Sequence, residues 1–94
     1  IPIQKDQLIR LYLLNMMEFE HAATFHLHAN MFKLYRTGST LTPHEVTDAV
    51  TMGPSERHIL EFAYNYPGKY MFHPHQDWIA EHGCRGYFQV VDQL

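Results

Sequence analysis

Cysteine is almost missing from this sequence. Cys84 is the only one, so no disulfide can form within the chain. Basic charge is also scarce: seven Lys and Arg stand against ten Asp and Glu, and the formal net charge is −3. No basic run appears, which removes the electrostatic footprint that nucleic-acid binding requires. No apolar run approaches the roughly 20 residues that a membrane-spanning helix needs. No signal peptide opens the sequence, so either a removed leader or an excised segment is expected. Internal repeats, low-complexity stretches and interior linkers are missing too. The 94 residues suffice for one domain spanning 1–94 and not for two. A domain of this size buries only about 60–65% of its unfolded surface. Its stability is therefore expected to lean on a metal, a partner subunit or the rest of a longer chain.

What the sequence does contain is apolar and aromatic. Hydrophobic residues make up 46%, including six Tyr and six Phe, which fits a packed core rather than disorder. Residues 8–14 (LIRLYLL) are rich in strand formers and partly alternating, so they read as a buried strand. Residues 24–36 (TFHLHANMFKLYR) read as one long strand bent near Ala29-Asn30. Residues 47–52, 58–64, 69–73 and 87–91 read as further strands. Turns are signalled at Thr37-Gly38-Ser39-Thr40, Gly53-Pro54 and Asn65-Tyr66-Pro67-Gly68. Residues 77–82 read as one short helix closed by Gly83. Short strands separated by regular turns predict an all-β sandwich.

Eight histidines in 94 residues are unusual, and their arrangement matters more than their number. His26-Leu27-His28 and His73-Pro74-His75 each place two imidazoles at positions i and i+2. On a strand such residues share a face, about 6.5–7 Å apart, and neighbouring strands lie about 4.8 Å apart. Two pairs on adjacent strands would gather four imidazoles on one patch, a donor set suited to Cu, Zn, Fe or Ni. The plainer reading is that each pair is incidental. His21, His44, His58 and His82 have no partner at ligand spacing and read as surface or structural residues. Met16, Met17, Met52 and Met71 are scattered along the chain, which favours core packing.

The stretch FHLHANMF at 25–32 resembles the third copper motif of the multicopper oxidases, commonly written HPxHxHGH. The stretch MFHPHQDWIAEHGCRGYF at 71–88 resembles the fourth, HCHxxWHxxxGM. Between them, Asp48-Ala49-Val50 and YPGKYMFHPH are similar in order to D-T-V and NPGxWxFHCH of that family. The resemblance runs from about Gln4 to Val91. It implies a cupredoxin-like (plastocyanin-like) Greek-key β-sandwich that lacks its first strand and is a fragment of a longer oxidase of the laccase-like, two-domain type. It also implies that His26 is a type 2 copper ligand and that His28, His73 and His75 are type 3 ligands. The family has further histidine pairs on another cupredoxin domain, in the same chain or on a neighbouring subunit. The two halves close a trinuclear cluster that reduces dioxygen to water. A homotrimer and an extracytoplasmic location follow from the same resemblance.

The blue-copper (type 1) site does not carry over. Pro74 stands where the family has its Cys, Ile79 and Ala23 where it has two His, and Cys84 where it has an axial Met. Electrons from a small reducing substrate are thus expected to enter at a type 1 copper in another domain. Asp77, two residues after His75, admits two readings: a proton relay for dioxygen reduction or the N-cap of the short helix. Glu81 and Asp48 read as structural, bonding backbone or ligand histidines. Alternatives to the oxidase are a copper nitrite reductase-like domain, or a non-catalytic structural or metal-binding cupredoxin module.

Overall fold

Alternating side chains set the strands of this chain. In β2 (Ile9–Leu14), Ile9, Leu11 and Leu13 turn inward against the core while Arg10, Tyr12 and Leu14 face outward. A computed structural model describes residues 1–18 and 20–94. Besides β2, the elements among the described residues are β1 (Pro2–Gln4), β3 (Ala23–Leu27), β4 (Phe32–Arg36), β5 (Glu45–Thr47) and β6 (Ala49–Met52). They continue with β7 (Arg57–Phe62), β8 (Gly68–Pro74), α1 (Asp77–Glu81) and β9 (Gly86–Val91). The strands form two sheets, a five-stranded one in the order β1-β9-β8-β3-β6 and a four-stranded one in the order β2-β7-β4-β5. β1 pairs parallel with β9, and the remaining pairs are antiparallel. The architecture is the all-β sandwich that the turn spacing predicts.

The core lies between the sheets. Phe25, Leu27, Val50, Met52, Phe88 and Val90 come from the first, and Phe32, Leu34, Leu60 and Phe62 from the second. Burying an aliphatic side chain of this kind stabilises the fold by about 1.5–3 kcal/mol.

Two of the expected strands are each divided between the sheets. Residues 24–36 are not one bent strand: β3 ends at Leu27 in the five-stranded sheet and β4 begins at Phe32 in the other. The corner depends on Ala29, whose φ of 58° lies in the left-handed region, which costs a non-glycine residue energy. Side-chain bonds hold it in place. Asn30 Nδ2 donates to the Ala63 carbonyl at 2.7 Å, and its Oδ1 accepts from the Met31 N–H at 2.8 Å. Tyr64 Oη donates to the His28 carbonyl at 2.7 Å. Residues 47–52 divide likewise at Asp48, with β5 in one sheet and β6 in the other.

The short helix ends at Glu81, with His82 as C-cap and Gly83 beyond it at φ 103°. Gly83 N–H donates to Ala80 O at 3.0 Å and Cys84 N–H to Ile79 O at 3.3 Å, the bond pair of a Schellman motif. The N-cap reading of Asp77 does not hold. Gln76 occupies that position, with extended backbone and no side-chain cap bond, and Asp77 is the first helical residue.

Candidate metal centre

β3 and β8 are neighbours in the five-stranded sheet, and their register sets His26 opposite His73. Thr24 lies opposite His75, bonded through His75 N–H to Thr24 O at 2.6 Å. Met71 lies opposite His28, bonded through His28 N–H to Met71 O at 3.0 Å. Residues directly opposite in an antiparallel pair share a face. Phe25 and Leu27 take the inward face of β3, so His26 and His28 take the outward one. The four rings His26, His28, His73 and His75 therefore meet on the outer surface of the sheet. Ring centroids lie 5.1 Å apart for His26–His28, 5.7 Å for His26–His73 and 5.3 Å for His26–His75. They lie 5.0 Å apart for His28–His73 and 6.0 Å for His73–His75.

Backbone carbonyls orient two of these rings. His26 Nδ1–H donates to the Asp48 carbonyl at 2.9 Å, which also accepts the Leu27 N–H at 3.1 Å. Asp48 thus serves a histidine as expected, but through its main chain; its carboxylate stays 3.8 Å from Nδ1. His73 Nδ1–H donates to the Pro74 carbonyl at 2.6 Å. Both bonds leave Nε2 as the ring's lone-pair nitrogen, the arrangement that outer-shell partners enforce on metal-bound histidine. His28 Nε2–H then donates to His73 Nε2 at 2.9 Å. Burial, followed by the adjoining His73, His26 and His75 rings, holds the His28 pKa below the ordinary imidazole value. The neutral form, which binds metals, is thereby favoured.

Pro74 fits between the two histidines for a reason of register. It lies opposite Phe25 at a position that exchanges no hydrogen bond with β3, because the bonded pairs fall at 24/75 and 28/71. On its other side, pairing with β9 stops at Phe72↔Gly86. Its missing N–H therefore interrupts neither ladder.

The remaining candidate residues separate cleanly. Ala23, Pro74 and Cys84 line one cavity on the inward side of β8, while Ile79 is the buried residue of α1. Asp77 is exposed at the start of α1, and Glu81 is exposed at its end. His58 is buried away from the ring cluster: Nδ1 accepts the Thr37 N–H at 2.9 Å, and Nε2–H donates to Glu56 at 3.1 Å. His44 Nδ1 accepts the Arg36 N–H, His82 Nδ1–H donates to the Trp78 carbonyl, and His21 is exposed. None of these four joins the cluster. Tyr64 holds the carbonyl of His28. Only contact across the sheets reveals that role, since 36 positions separate the two residues.

Among the described residues, no three His, Cys, Asp or Glu side chains enclose a single ion. The pairing of His28 with His73 is nevertheless the right size for two ligands of one metal. Metal–imidazole distances are about 2.0–2.1 Å, and nitrogens 2.9 Å apart can both reach an ion at that range. The donor set fits a site that takes further ligands from outside these residues.

The family model described as multicopper oxidase matches residues 1–93. A solved multicopper oxidase structure is 41% identical, with a TM-score of 0.95, covering 97% of this chain and 32% of that one. A multi-copper oxidase from Pediococcus acidilactici is 24% identical, with a TM-score of 0.82, covering 97% and 20%. A copper nitrite reductase from Nitrosomonas europaea is 17% identical, with a TM-score of 0.85, covering 98% and 32%. The last two likenesses concern the fold alone. A search of curated proteins finds no match. The chain thus spans about a third of the length of the multicopper oxidase to which it is 41% identical.

Proposed function

The chain belongs to the multicopper oxidase family, and on that premise we propose that it supplies half of a trinuclear copper cluster that reduces dioxygen to water. The observation that carries this reading is the convergence of two complete His-x-His pairs on the outward face of adjacent strands. His28 and His73 would hold one type 3 ion together, His75 would serve the other, and His26 would serve the type 2 ion. No three of these rings close on one metal, so each ion would draw its remaining ligands from a facing cupredoxin domain. That domain would belong to the same chain or to a neighbouring subunit, with a homotrimer as the assembly and an extracytoplasmic location, both carried over from the family.

Copper bound there would supply the one-electron steps that dioxygen reduction needs. This chain's residues prepare its place. The carbonyls of Asp48 and Pro74 fix the His26 and His73 tautomers so that Nε2 points outward. The proton on His28 Nε2 would move to Nδ1 as metal enters, a tautomer change that keeps the ring neutral and frees Nε2 as a donor to the metal. Asp77, exposed two residues beyond His75, would hold and deliver a proton from its carboxylate. Pro74 carries no thiolate, so electrons would arrive from a type 1 copper in the facing domain, where a small reducing substrate would be oxidised.

Counting copper tests the reading. The full-length protein, loaded and desalted, is expected to hold about three ions at each paired interface, beyond the type 1 copper, and to consume dioxygen with a reductant. One ion or none at that interface would overturn it. A second reading, a copper nitrite reductase-like domain, has the fold of the Nitrosomonas europaea enzyme in its favour. Two intact His-x-His pairs favour the oxidase over it, and anaerobic nitrite turnover would reverse that order. The third, a non-catalytic cupredoxin module, would show neither turnover.

A further inference from the structure

β8 ends at Pro74, so His75 lies just past the strand, and it is exposed. Its ring still stays with the others, 5.3 Å from His26 and 6.0 Å from His73. The nitrogens of those other three rings hold hydrogen bonds. Among the described residues, no such bond reaches a ring nitrogen of His75, so its place is set through the main chain.

Opposite residues of a bonded antiparallel pair exchange two N–H···O bonds. Thr24 and His75 form such a pair, but only half of the exchange is made. His75 N–H donates to the Thr24 carbonyl at 2.6 Å. In place of the returning bond to the His75 carbonyl, Thr24 N–H donates to Gln76 Oε1 at 3.1 Å. The side-chain amide of Gln76 thus stands in for a main-chain carbonyl. Its Nε2 donates to Thr24 Oγ1 at 3.4 Å, which leaves that hydroxyl's hydrogen for Thr51 Oγ1 at 3.0 Å. Thr51 faces Thr24 from β6, so these bonds tie the end of β8 across β3 to a third strand. An amide turned the other way would set Nε2 against the Thr24 N–H, donor against donor.

The main chain of Gln76 has a different task. It takes the N-cap position of α1 without a side-chain cap bond, and its carbonyl accepts the Ile79 N–H at 3.0 Å. The chain must therefore leave the sheet directly after His75. Without the Gln76 amide, that departure would strand the partly buried Thr24 N–H. The position is an unspecified x in HCHxxWHxxxGM.

We infer that Gln76 is a positioning residue for His75: its amide closes the ladder where the chain departs and so holds the His75 ring on the histidine face. The inference rests on the reading of His75 as a metal ligand, and its test keeps the two apart.

Hydrogen exchange, read by mass spectrometry on the intact metal-free protein, needs no copper. The Thr24 amide is expected to be protected in the wild type. In Gln76→Met, which keeps the length and removes the amide, it should exchange about tenfold faster, and the ring Cε1–H of His75 should exchange faster with it. His44 should not change. Gln76→Glu, whose carboxylate restores the acceptor, should recover both. In the copper-loaded full-length protein, Gln76→Met should weaken copper binding by about tenfold or more and alter the EPR spectrum, and Gln76→Glu should restore them. Gln89→Met, which removes an amide bonded to the Gly68 carbonyl, should alter neither. An unprotected Thr24 amide in the wild type overturns the inference, whether or not any variant folds. So does equal Thr24 protection in Gln76→Met, or His75 ring exchange that ignores the variant. If the wild type holds no copper, the ligand reading falls, and the metal-free exchange at Thr24 and His75 still decides the inference.

Discussion

The two sheets of the sandwich each turn an outer face away from the core, and the two faces are built on opposite electrostatic plans. On the four-stranded sheet, Arg10 grips Glu61 through Nε at 2.8 Å and Nη2 at 2.6 Å, and Tyr35 Oη donates to the same carboxylate at 2.7 Å. Those donors, Tyr35 first and Arg10 next, hold the Glu61 pKa below the ordinary carboxylate value. Bonding to Glu61 raises that of Tyr35 in turn. On the five-stranded sheet, four imidazoles stand together with carbonyls behind two of them. One face satisfies itself with opposite charges. The other sets like groups side by side, joined by the His28–His73 bond, an arrangement that a bound cation would stabilise further. Period-two alternation produces both faces equally, so the chemistry comes from which residues alternate and not from the fold.

The comparison breaks most sharply at His73. His73→Ala is expected to remove the metal shared with His28, a larger loss than the roughly 10–100-fold that second-shell changes bring. Copper counting and the visible and EPR spectra of the loaded full-length protein would show it, whereas Glu61→Ala should leave copper content unchanged.

Matched core deletions come next. Leu27 and Leu60 are both fully buried, one behind each face. Leu27→Ala and Leu60→Ala should each lower unfolding free energy by about 2–5 kcal/mol in urea titrations. Only Leu27→Ala should also weaken copper binding, because it alone sits between two ligand candidates. Equal copper affinities in the two variants would show that the histidine face does not depend on its own strand's packing.

Tyr64→Phe sharpens the contrast further. Burial pushes the Tyr64 phenol pKa up, so the hydroxyl stays a donor to His28 O across the working pH range. Removing it leaves a carbonyl at the β3 corner without that partner, for a loss of about 1–3 kcal/mol. A fall in copper affinity should accompany it, since His28 is released at its main chain.

The smallest effect belongs to Glu61→Gln. The folded pKa of Glu61 is lowered, so the native carboxylate contributes stability that is fully present above the unfolded value of about 4.3. That contribution disappears as pH falls through the lower folded value. The urea midpoints of wild type and Glu61→Gln should therefore differ slightly near neutrality and converge in acid.

Much of this was legible in the residues themselves. LIRLYLL and YFQVV alternate, and each HxH pair announces its shared face. The bend near Ala29-Asn30 was legible, but not that it carries the chain from one sheet to the other, and the corner at Asp48 was not legible at all. Ala29 carries a left-handed backbone without the glycine that would advertise it, and Asp48 turns the chain between sheets in the stretch EVTDAVTM with no glycine or proline to mark the corner. Both corners are fixed by partners remote in sequence, Ala63 and Tyr64 for the first and His26 and Leu27 for the second. Asp77 was open to two readings, and the extended backbone of Gln76 displaced one of them.

The placement of Pro74 has a consequence for how such a domain can change over time. Its backbone nitrogen faces neither adjoining strand's bonding groups, so the sheet is indifferent to the identity of that residue. A scaffold with this slot can change the side chain between the two imidazoles by substitution alone, keeping both flanking rings in register without refolding.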